Sequence, residues 1–589
     1  MKNFLIYTLA TITGIILASI LFFLIVIGSI STMVAVGDKK VSISENSVLV
    51  LKTNVQIPDR SDPNPFAGID ITNMTISPVT GLNEILKNLD KAASDPKIKG
   101  VLIDNGIMPS GWATMEEIRN GLRKFKESGK FVIAYSDYSL EQQSYYLSTA
   151  ADRIFINPAS TINFKGLTGE VMFYKKALEK IGMEVQVIRH GKFKGAVEPF
   201  ILDKLSDENK EQIKDYVGSI WNHVVKMTAE SRGLTESRIN ELADNLTGTV
   251  PTEALDAGLI DGLIYRDELN DTIKILSGLT TDDKINFVSM SKYTKVPDPK
   301  KVLTVKSRIS VIYASGSIVM GKGNVSNIGG NNYSEIIRKE RLDSTVKAIV
   351  LRVNSPGGSA NASDIIWREL ELAAKVKPVV ISMGNYAASG GYYIACPGTK
   401  IYANPTTISG SIGVFGLLPN AGKLLEQKIG INIETVKTNE NSDFPSIYRP
   451  MSAYEKEVVQ KSIEKTYSDF VSKVASGRDM KFESVDSIGQ GRIWSGTSSL
   501  KLGLVDEIGG LNDAIKEAAK LAKTETYSIR ELPVAEDPYM MLLKQMSGEV
   551  KMNKLKKEIG ETFGFYRELL EIRDLTGIQA RLPYFIEIH

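Results

Sequence analysis

The stretch VVISMGNYAASGGYYIACPGTKIYANP, residues 379–405, decides the fold because the chain contains a second version of it. Residues 132–158 read VIAYSDYSLEQQSYYLSTAADRIFINP and align with it without a gap, at a constant offset of 247 positions (379 − 132). The Tyr-Tyr and Asn-Pro pairs of the two versions fall in register. A chain of 589 residues is long enough for two cores, so the repeat predicts two tandem domains of one fold.

The two copies differ at the positions that carry chemistry. The second copy has Ala-Ala-Ser-Gly-Gly around Ser389, and the first copy has Gln142 at the matching place. Further along, the first copy reads HGKFKGAVEPF around Lys194, and the second copy has Ser442 opposite that lysine. We infer a two-domain enzyme whose serine lies in one repeat and whose lysine lies in the other.

Short β-rich runs alternate with amphipathic segments in both copies, which predicts an α/β fold with a largely parallel sheet. The predicted strands are 47–51, 100–104 and 131–134 in the first copy and 309–313, 348–353 and 378–382 in the second, and the predicted helices include 82–93, 207–232, 362–375 and 453–478. The sequence predicts a membrane anchor at 1–40, a first repeat at 41–290 and a second repeat at 291–525, with residues 291–306 as the linker between the repeats. A C-terminal helical tail is expected at 526–589, with a Lys-rich helix at 541–570.

The first forty residues differ in kind from the rest. Residues 3–37 contain no charged side chain, and residues 4–30 are long enough as a helix to cross a hydrocarbon core about 30 Å thick. The apolar stretch exceeds the roughly 7 to 15 residues of a signal-peptide core, which favours an uncleaved transmembrane anchor over a cleaved signal peptide. Lys2 precedes the span and Lys39 and Lys40 follow it, so charge bias leaves the orientation open.

Composition excludes several classes of partner and cofactor. Lys and Arg are balanced by acidic residues to a net charge of +2, so no nucleic acid is expected. The single Cys396 excludes an intramolecular disulfide and a Cys-rich metal site, and we expect it to be a buried small apolar residue. We expect neither a metal nor an organic cofactor.

Ser389 follows a predicted buried strand and is flanked by small residues, a place where a hydroxyl is exposed beside free backbone N–H groups. The chain has no G-x-S-x-G motif and only three histidines, so a Ser-His-Asp arrangement is poorly supplied. A lysine base must be neutral, whereas an unperturbed pKa of about 10.4 leaves only about one lysine in a thousand neutral at about pH 7.5. Lys194 lies in an apolar, glycine-containing stretch that suits a lowered pKa, and His190 remains a rival base.

Four motifs together resemble one protein family. FKGAVEPF with Lys194, RVNSPGGS, NYAASGGYYI with Ser389 and the downstream SGSIGVFG closely resemble the signal peptide peptidase A family in its long, tandem-repeat form. The resemblance covers the chain from the anchor through Gly510 and includes every motif residue. It implies a fold shared with Clp protease and crotonase.

The resemblance also implies a role for each motif residue. Ser389 would be the nucleophile, Lys194 the general base, and Ser411 the residue that orients the lysine, while the backbone N–H groups of Gly358 and Gly390 would form the oxyanion hole. Substrate would bind along Gly357 and along a strand formed by Ile412, Gly413, Val414 and Phe415.

The implied activity is that of a membrane-anchored serine endopeptidase that degrades cleaved signal peptides and other short hydrophobic peptides. The resemblance further implies a homotetramer with its catalytic domain on the extracytoplasmic, periplasmic side of the cytoplasmic membrane. Two alternatives stay open: a crotonase-like acyl-CoA enzyme, and a catalytically silent membrane scaffold. The residues do not decide whether the serine and lysine that meet belong to one chain or to neighbouring chains.

The asymmetry of the repeat gives a first testable prediction. Because Gln142 replaces the serine and Ser442 replaces the lysine, titration with a serine-reactive acylating inhibitor should saturate at about one equivalent per chain, all on Ser389. Peptide mapping of the labelled protein measures this. A second equivalent, or stable label on Ser144 or Ser442, would contradict the reading of the repeat.

Overall fold

The computed structural model describes residues 41–61, 79–106, 110–298, 305–324, 326–534 and 577–582, most of 4–21, and the short pieces 69–70, 75–76 and 587–588. Within these residues, each repeat contains a mainly parallel sheet covered by helices. The strands of the first sheet lie in the spatial order Gly262–Leu263, Arg153–Ile156, Phe131–Ser136, Ile98–Asp104, Ser47–Lys52 and Asn286–Ser289, all parallel. The Val- and Ile-rich strands are buried, as expected for a sheet with helices on its faces.

The second sheet repeats the order of the first. Six of its strands are parallel and lie in the spatial order Glu507–Ile508, Lys400–Ala403, Val379–Ala388, Val346–Ser355, Arg308–Ser315 and Ser528–Leu532. Two further strands, Ile408–Gly410 and Ile493–Ser495, extend the sheet beside Val379–Ala388. Each of the six parallel strands has its counterpart at the same place in the first sheet. The duplication seen in the sequence is therefore a duplication of the fold.

Helices surround both sheets. In the first repeat they are Leu82–Ser94, Trp112–Lys126, Gln142–Ser148, Lys175–Ile181, Glu198–Ile201, Asp207–Arg232, Glu236–Asp244, Pro251–Asp256, Arg266–Ser277 and Met290–Thr294. In the second they are Gly330–Leu342, Ala360–Ala374, Gly390–Ala395, Ala453–Arg478, Phe482–Ile488, Gly496–Lys501 and Leu511–Leu521. The apolar faces of these helices and the buried strands form a core in each repeat. The first core also includes Ala388, Ile408 and Ile493 of the second repeat, so the two repeats pack directly on each other.

A third sheet joins parts of the chain that are far apart in sequence. Its strands lie in the order Glu184–Arg189, Phe415–Asn420, Ile578–Arg581, Gly357–Ser359, Ser317–Val319 and Asn327–Gly329. The first strand leads to the Lys194 segment, and Gly357–Ser359 contains the glycine-rich turn. Two-stranded pairs are also formed by Ile69–Asp70 with Thr75–Ile76, Leu140–Glu141 with Ile162–Asn163, and Gly169–Glu170 with Glu587–Ile588.

The predicted α/β class with two tandem repeats is confirmed, and the predicted helices 207–232 and 453–478 have the predicted bounds. The expected linker 291–306 begins inside the helix Met290–Thr294. Cys396 is buried as expected. The relation to Clp protease and crotonase stays a prediction.

Two predicted segments fall on residues that the structure does not describe in full. No helix among the described residues has both the length and the apolar character that a membrane crossing requires. Residues 22–40, which include the second part of the predicted anchor, and the predicted tail helix 541–570 lie outside the described residues.

A buried ion cluster connects the repeats. Arg352, on the central strand of the second sheet, lies 2.7 Å from a carboxylate oxygen of Asp59 and 2.7 Å from one of Glu117, both from the first repeat. Glu117 also accepts hydrogen bonds from the backbone N–H of Leu511 at 2.7 Å and from the side-chain amide of Asn404 at 3.0 Å. A buried charge that loses its partner is costly, so this cluster makes the packing of the repeats specific.

We predict that Glu117→Ala destabilises the protein by about 3 kcal/mol or more, because it leaves Arg352 with one counter-ion and two donors without an acceptor. Denaturant unfolding of the full chain measures the change. Glu335→Ala is the control, since Glu335 forms an exposed pair with Lys339 on one helix and its loss should leave the midpoint unchanged. Equal midpoints for the two variants would contradict this role for the cluster.

Candidate active site

Ser389 lies between the strand Val379–Ala388 and the helix Gly390–Ala395, fully buried, with φ 54° and ψ −116°. A non-glycine residue in this region carries backbone strain of about 1 to 3 kcal/mol and persists only where its surroundings hold it. Here the Ser389 N–H donates to the Gly410 carbonyl at 2.8 Å, and the Ser389 carbonyl accepts from the Tyr393 N–H at 2.8 Å. The serine is thus held in a sharp turn from strand to helix.

The two glycines after Ser389 are required by close contacts with neighbouring atoms. A Cβ on Gly391 would lie 2.6 Å from the carbonyl oxygen of Ser355, and a Cβ on Gly390 would lie 2.7 Å from the Ser363 hydroxyl. These distances are shorter than a carbon atom tolerates. The Ala-Ala-Ser-Gly-Gly cluster therefore serves close packing at this turn, and Ser389 is buried there rather than exposed as the sequence predicts.

Lys194 comes from the other repeat and reaches the same place. It precedes the short turn Gly195–Val197, and its side chain is 0% exposed. The Phe193 N–H donates to the Gln490 carbonyl at 3.2 Å, which attaches the lysine segment to the second repeat. A Cβ on Gly491 would lie 2.7 Å from both N and Cβ of Lys194, so only a glycine at position 491 lets the lysine backbone approach.

The lysine amine contacts both predicted serines. Lys194 Nζ lies 2.8 Å from Ser389 Oγ, 2.9 Å from Ser411 Oγ and 3.2 Å from the Ser411 carbonyl oxygen. Ser411 is itself held at φ 50° by a hydrogen bond from its N–H to the Arg492 carbonyl at 2.7 Å. The structure thus brings Lys194, Ser389 and Ser411 together within a single chain.

Burial controls the protonation of this amine. Desolvation by burial lowers the pKa of Lys194 well below its usual range. A neutral amine has two N–H groups, which can donate to the Ser411 hydroxyl and carbonyl oxygens, and one lone pair, which can accept the Ser389 hydroxyl proton. The arrangement suits a proton acceptor for the serine.

The glycine-rich turn lies next to the serine. The N–H nitrogen of Gly358 is 3.1 Å from the point that a Cβ on Gly390 would occupy. Gly357 has φ 97° and Gly358 has φ 155°, and a Cβ on Gly357 would lie 2.7 Å from the backbone nitrogen of Gly390. The backbone nitrogens of Gly358 and Gly390 therefore lie close together, and a side chain at position 357 or 390 would prevent that approach.

The predicted substrate strand is displaced along the chain. Residues 411–414 form no strand, and the strand runs from Phe415 to Asn420 instead. The backbone before Phe415 bends to serve the site: the Ile412 carbonyl accepts from the Gly491 N–H at 2.7 Å, and the Gly413 carbonyl lies 3.3 Å from Ser389 Oγ. Val414 accepts from the His190 N–H at 3.3 Å and is buried.

The rival base His190, and the residues Gln142 and Ser442 that replace the serine and the lysine in the other copy, lie in other surroundings. His190 Nδ1 lies 2.6 Å from a carboxylate oxygen of Glu464, and its ring stacks on Tyr467. Gln142, which replaces the serine in the first repeat, accepts from the N–H groups of Lys165 and Gly166 at 2.9 Å each. Ser442, which replaces the lysine in the second repeat, is exposed.

Two further contributors to the site carry no signal in the sequence. Gly491 has no motif around it that points to Lys194, and the strand Ile578–Arg581 lies in the tail, where the sequence predicts only a helix. The contact between the strand Ile578–Arg581 and the glycine-rich turn is seen only in the pairing of the strands.

Comparison with known proteins places the chain in a family. The profile of Peptidase family S49 matches residues 124–280 and 371–525, one match in each repeat. Protease 4 of Haemophilus influenzae is 33% identical over 85% of this chain and 83% of its own length. Protease 4 of Salmonella typhi is 34% identical over 80% and 76%, and the chloroplastic serine protease SPPA of Arabidopsis thaliana is 33% identical over 83% and 72%.

The profile matches in both repeats and the identity to these relatives show the class of the protein, a peptide-bond hydrolase of the serine type. The chain belongs to peptidase family S49, and the protein is a serine protease.

The contacts of the lysine amine give a prediction for Ser411→Ala. The wild-type kcat/KM should rise with pH through the lowered pKa of Lys194, because only the neutral amine accepts the serine proton. Removing the Ser411 hydroxyl takes a hydrogen-bond acceptor away from the ammonium form of Lys194, so the pKa of the lysine should fall further and the rise of kcat/KM should move to lower pH. The lysine also loses an orienting contact, so kcat should fall about tenfold or more. A pH series of kcat/KM on a peptide substrate measures both effects.

Ser409→Ala is the matched control for this variant. Ser409 is also buried and lies two positions away, but its hydroxyl donates to the Ala387 carbonyl at 3.1 Å and not to the lysine. The control should keep the wild-type pH profile. A Ser411→Ala enzyme with the same rate and the same profile as wild type would remove Ser411 from the mechanism.

Proposed function

We propose that Ser389 is the nucleophile and Lys194 the general base of a Ser/Lys dyad that hydrolyses peptide bonds through an acyl-enzyme. The observation that carries the proposal is the distance of 2.8 Å between Lys194 Nζ and Ser389 Oγ at a site where burial lowers the pKa of the lysine. A base must lie within hydrogen-bond reach of the proton that it takes and must be in the right protonation state.

The reaction follows from these positions. Ser389 Oγ attacks the carbonyl carbon of the peptide bond while its proton passes to the neutral Lys194 amine. The N–H groups of Gly358 and Gly390 stabilise the negative charge that develops on the carbonyl oxygen. The Lys194 ammonium then protonates the leaving amine, and the acyl-enzyme forms. Water, deprotonated by the lysine, hydrolyses the ester and regenerates Ser389.

The proposed substrates are cleaved signal peptides and other short hydrophobic peptides. The motif resemblance supports this class, and so does the cleft. The strand Ile578–Arg581 lies between Gly357–Ser359 and Phe415–Asn420 and pairs with both in antiparallel fashion. The space between these two strands therefore accommodates an extended peptide backbone. The apolar residues Ile318, Tyr392 and Val414 are part of the core beside this cleft, which favours apolar side chains in a substrate.

The proposed setting is the extracytoplasmic side of the cytoplasmic membrane, with residues 1–40 as anchor and the chain as a homotetramer. The stretch 3–37 without a charged residue supports the anchor. Cell fractionation tests it: full-length protein should pellet with membranes and a chain without residues 1–40 should not. Equal distribution of the two forms would refute the anchor.

We predict that Ser389→Ala and Lys194→Ala each abolish hydrolysis of a quenched hydrophobic peptide, with losses of about 10³-fold or more, while both proteins stay folded. The double variant should be no worse than either single variant, because the two residues act as one unit. Turnover of the peptide and the circular dichroism of each variant measure this.

His190→Ala is the control for the identity of the base. His190 is in the same segment as Lys194 but pairs with Glu464, so its loss should leave most of the activity. An active Lys194→Ala enzyme together with an inactive His190→Ala enzyme would transfer the role of base to the histidine. Turnover of an acyl-CoA by an enzyme inactive on peptides would favour the crotonase-like alternative.

A further inference from the structure

The motif FKGAVEPF contains a buried acid for which the proposed mechanism has no task. Glu198 follows Lys194 by four residues and is 0% exposed. Its carboxylate oxygens accept hydrogen bonds from the side-chain amide of Asn209 at 2.6 Å and from the Ser206 N–H at 3.1 Å, and the guanidinium of Arg189 lies 3.5 Å from one of them. A buried carboxylate is tolerated only where donors surround it, and here it fixes the direction of the amide that donates to it.

The carboxylate sets the orientation of two amides in succession. Because a carboxylate only accepts, Asn209 turns its NH2 group toward Glu198 and its oxygen toward Gln212. Gln212 must then donate with its own NH2 group, which it does to Asn209 and, at 2.9 Å, to the Phe193 carbonyl oxygen. The Gln212 side-chain oxygen is left as an acceptor, and the Ile493 N–H donates to it at 3.1 Å. Both amide side chains are 0% exposed, so these bonds lie away from solvent.

Gln212 thereby joins the two backbone segments that meet at the proposed base. Its partner Phe193 is the residue before Lys194 in the first repeat, whereas its partner Ile493 belongs to the second repeat. The carbonyl group of the residue before Ile493 accepts from the Ser411 N–H at 2.7 Å. One side chain therefore bridges the backbone that carries the amine and the backbone that holds the second hydroxyl partner of that amine.

The second repeat, which has no lysine at the matching place, also lacks this amide. The helices Asp207–Arg232 and Ala453–Arg478 correspond to each other and both have 26 residues, and Gln212 is the sixth residue of the first helix. The sixth residue of the second helix is Val458, which is exposed. An amide needed only for the shared fold would be expected in both copies, so its presence in the lysine-bearing copy alone favours a role in the site.

We propose that Gln212 is a positioning residue that holds Lys194 Nζ where it can take the proton of Ser389. The inference rests on the proposed roles of Ser389 and Lys194. Gln212 bonds to backbone groups and not to the amine, so it acts through the position of the lysine backbone. Without the amide, the Phe193 carbonyl and the Ile493 N–H lose their shared partner, and the two segments can move apart. A displacement of about 1 Å can cost about a hundredfold in rate.

The near-isosteric variant Gln212→Met tests the proposal, because methionine fills the space but cannot bridge the two segments. On the quenched hydrophobic peptide, kcat should fall about tenfold or more while KM stays within about twofold, since the loss falls on proton transfer and not on substrate binding. Asn88→Leu is the matched control. Asn88 is also buried, and its amide donates to the Met290 carbonyl at 3.0 Å and to Thr294 Oγ1 at 2.8 Å, both inside the first repeat. The control should lose stability as Gln212→Met does and keep the wild-type kcat.

Gln212→Glu is the second variant. It keeps the length of the side chain and an acceptor for the Ile493 N–H, but a carboxylate cannot donate to the Phe193 carbonyl. Its kcat should therefore be at least as low as that of Gln212→Met. A side chain that only fills space would give the opposite pattern, with the methionine variant at the wild-type rate and the glutamate variant impaired. Denaturant unfolding of each variant gives the folded fraction to which its kcat is referred.

Several results would overturn the positioning role. These are a wild-type kcat in Gln212→Met, a raised KM with an unchanged kcat, or an equal fall of kcat in Gln212→Met and Asn88→Leu. Failure of both Gln212 variants to fold, beside a folded Asn88→Leu, would assign the amide to the fold and not to the site. In all of these cases an inactive Lys194→Ala leaves the Ser/Lys dyad standing, whereas an active Lys194→Ala would count against the proposed function itself.

Discussion

The removal of water from one amine governs the organisation of this molecule. Lys194 Nζ can act as a base only if it is neutral, and it is burial that lowers its pKa. That burial is not a local property of the lysine segment, since the second repeat supplies the contacts from Ser389, Ser411 and Gln490. The packing of one repeat on the other is therefore what creates the chemistry, and the lysine segment alone would carry an ordinary ammonium group.

Several features of the fold maintain that packing. The third sheet contains strands from the first repeat, the second repeat and the tail, and the Arg352 cluster joins the repeats by buried charges.

The duplicated architecture left a second position where a site could have formed. Gln142 there holds two backbone N–H groups of the loop at 165–166, so the position now stabilises a loop.

Patterns that are local in sequence predicted the fold well. The helices 207–232 and 453–478 have clear periodicity and strong N-terminal caps at Ser206 and Ser452, and their bounds were predicted correctly. The motifs also predicted which serine and lysine would meet. Long-range contacts could not be read in the same way: Gly491 is near Lys194 only because two segments fold together, and residues 577–582 form a strand only because two strand edges accept them. The strand at 412–415 was displaced because those residues bend around the lysine and the serine, a constraint that alternation of apolar residues does not contain.

In the proposed mechanism, the division of the dyad between the repeats also sets when the enzyme becomes active during its synthesis. The lysine precedes the serine by 195 residues, and the ribosome adds about 5 to 20 residues per second, so roughly 10 to 40 seconds separate the two. During that interval Lys194 has neither Ser389 nor the second-repeat contacts that bury its amine. In the proposed mechanism, hydrolytic capacity therefore arises only when the second repeat has been made and has docked on the first.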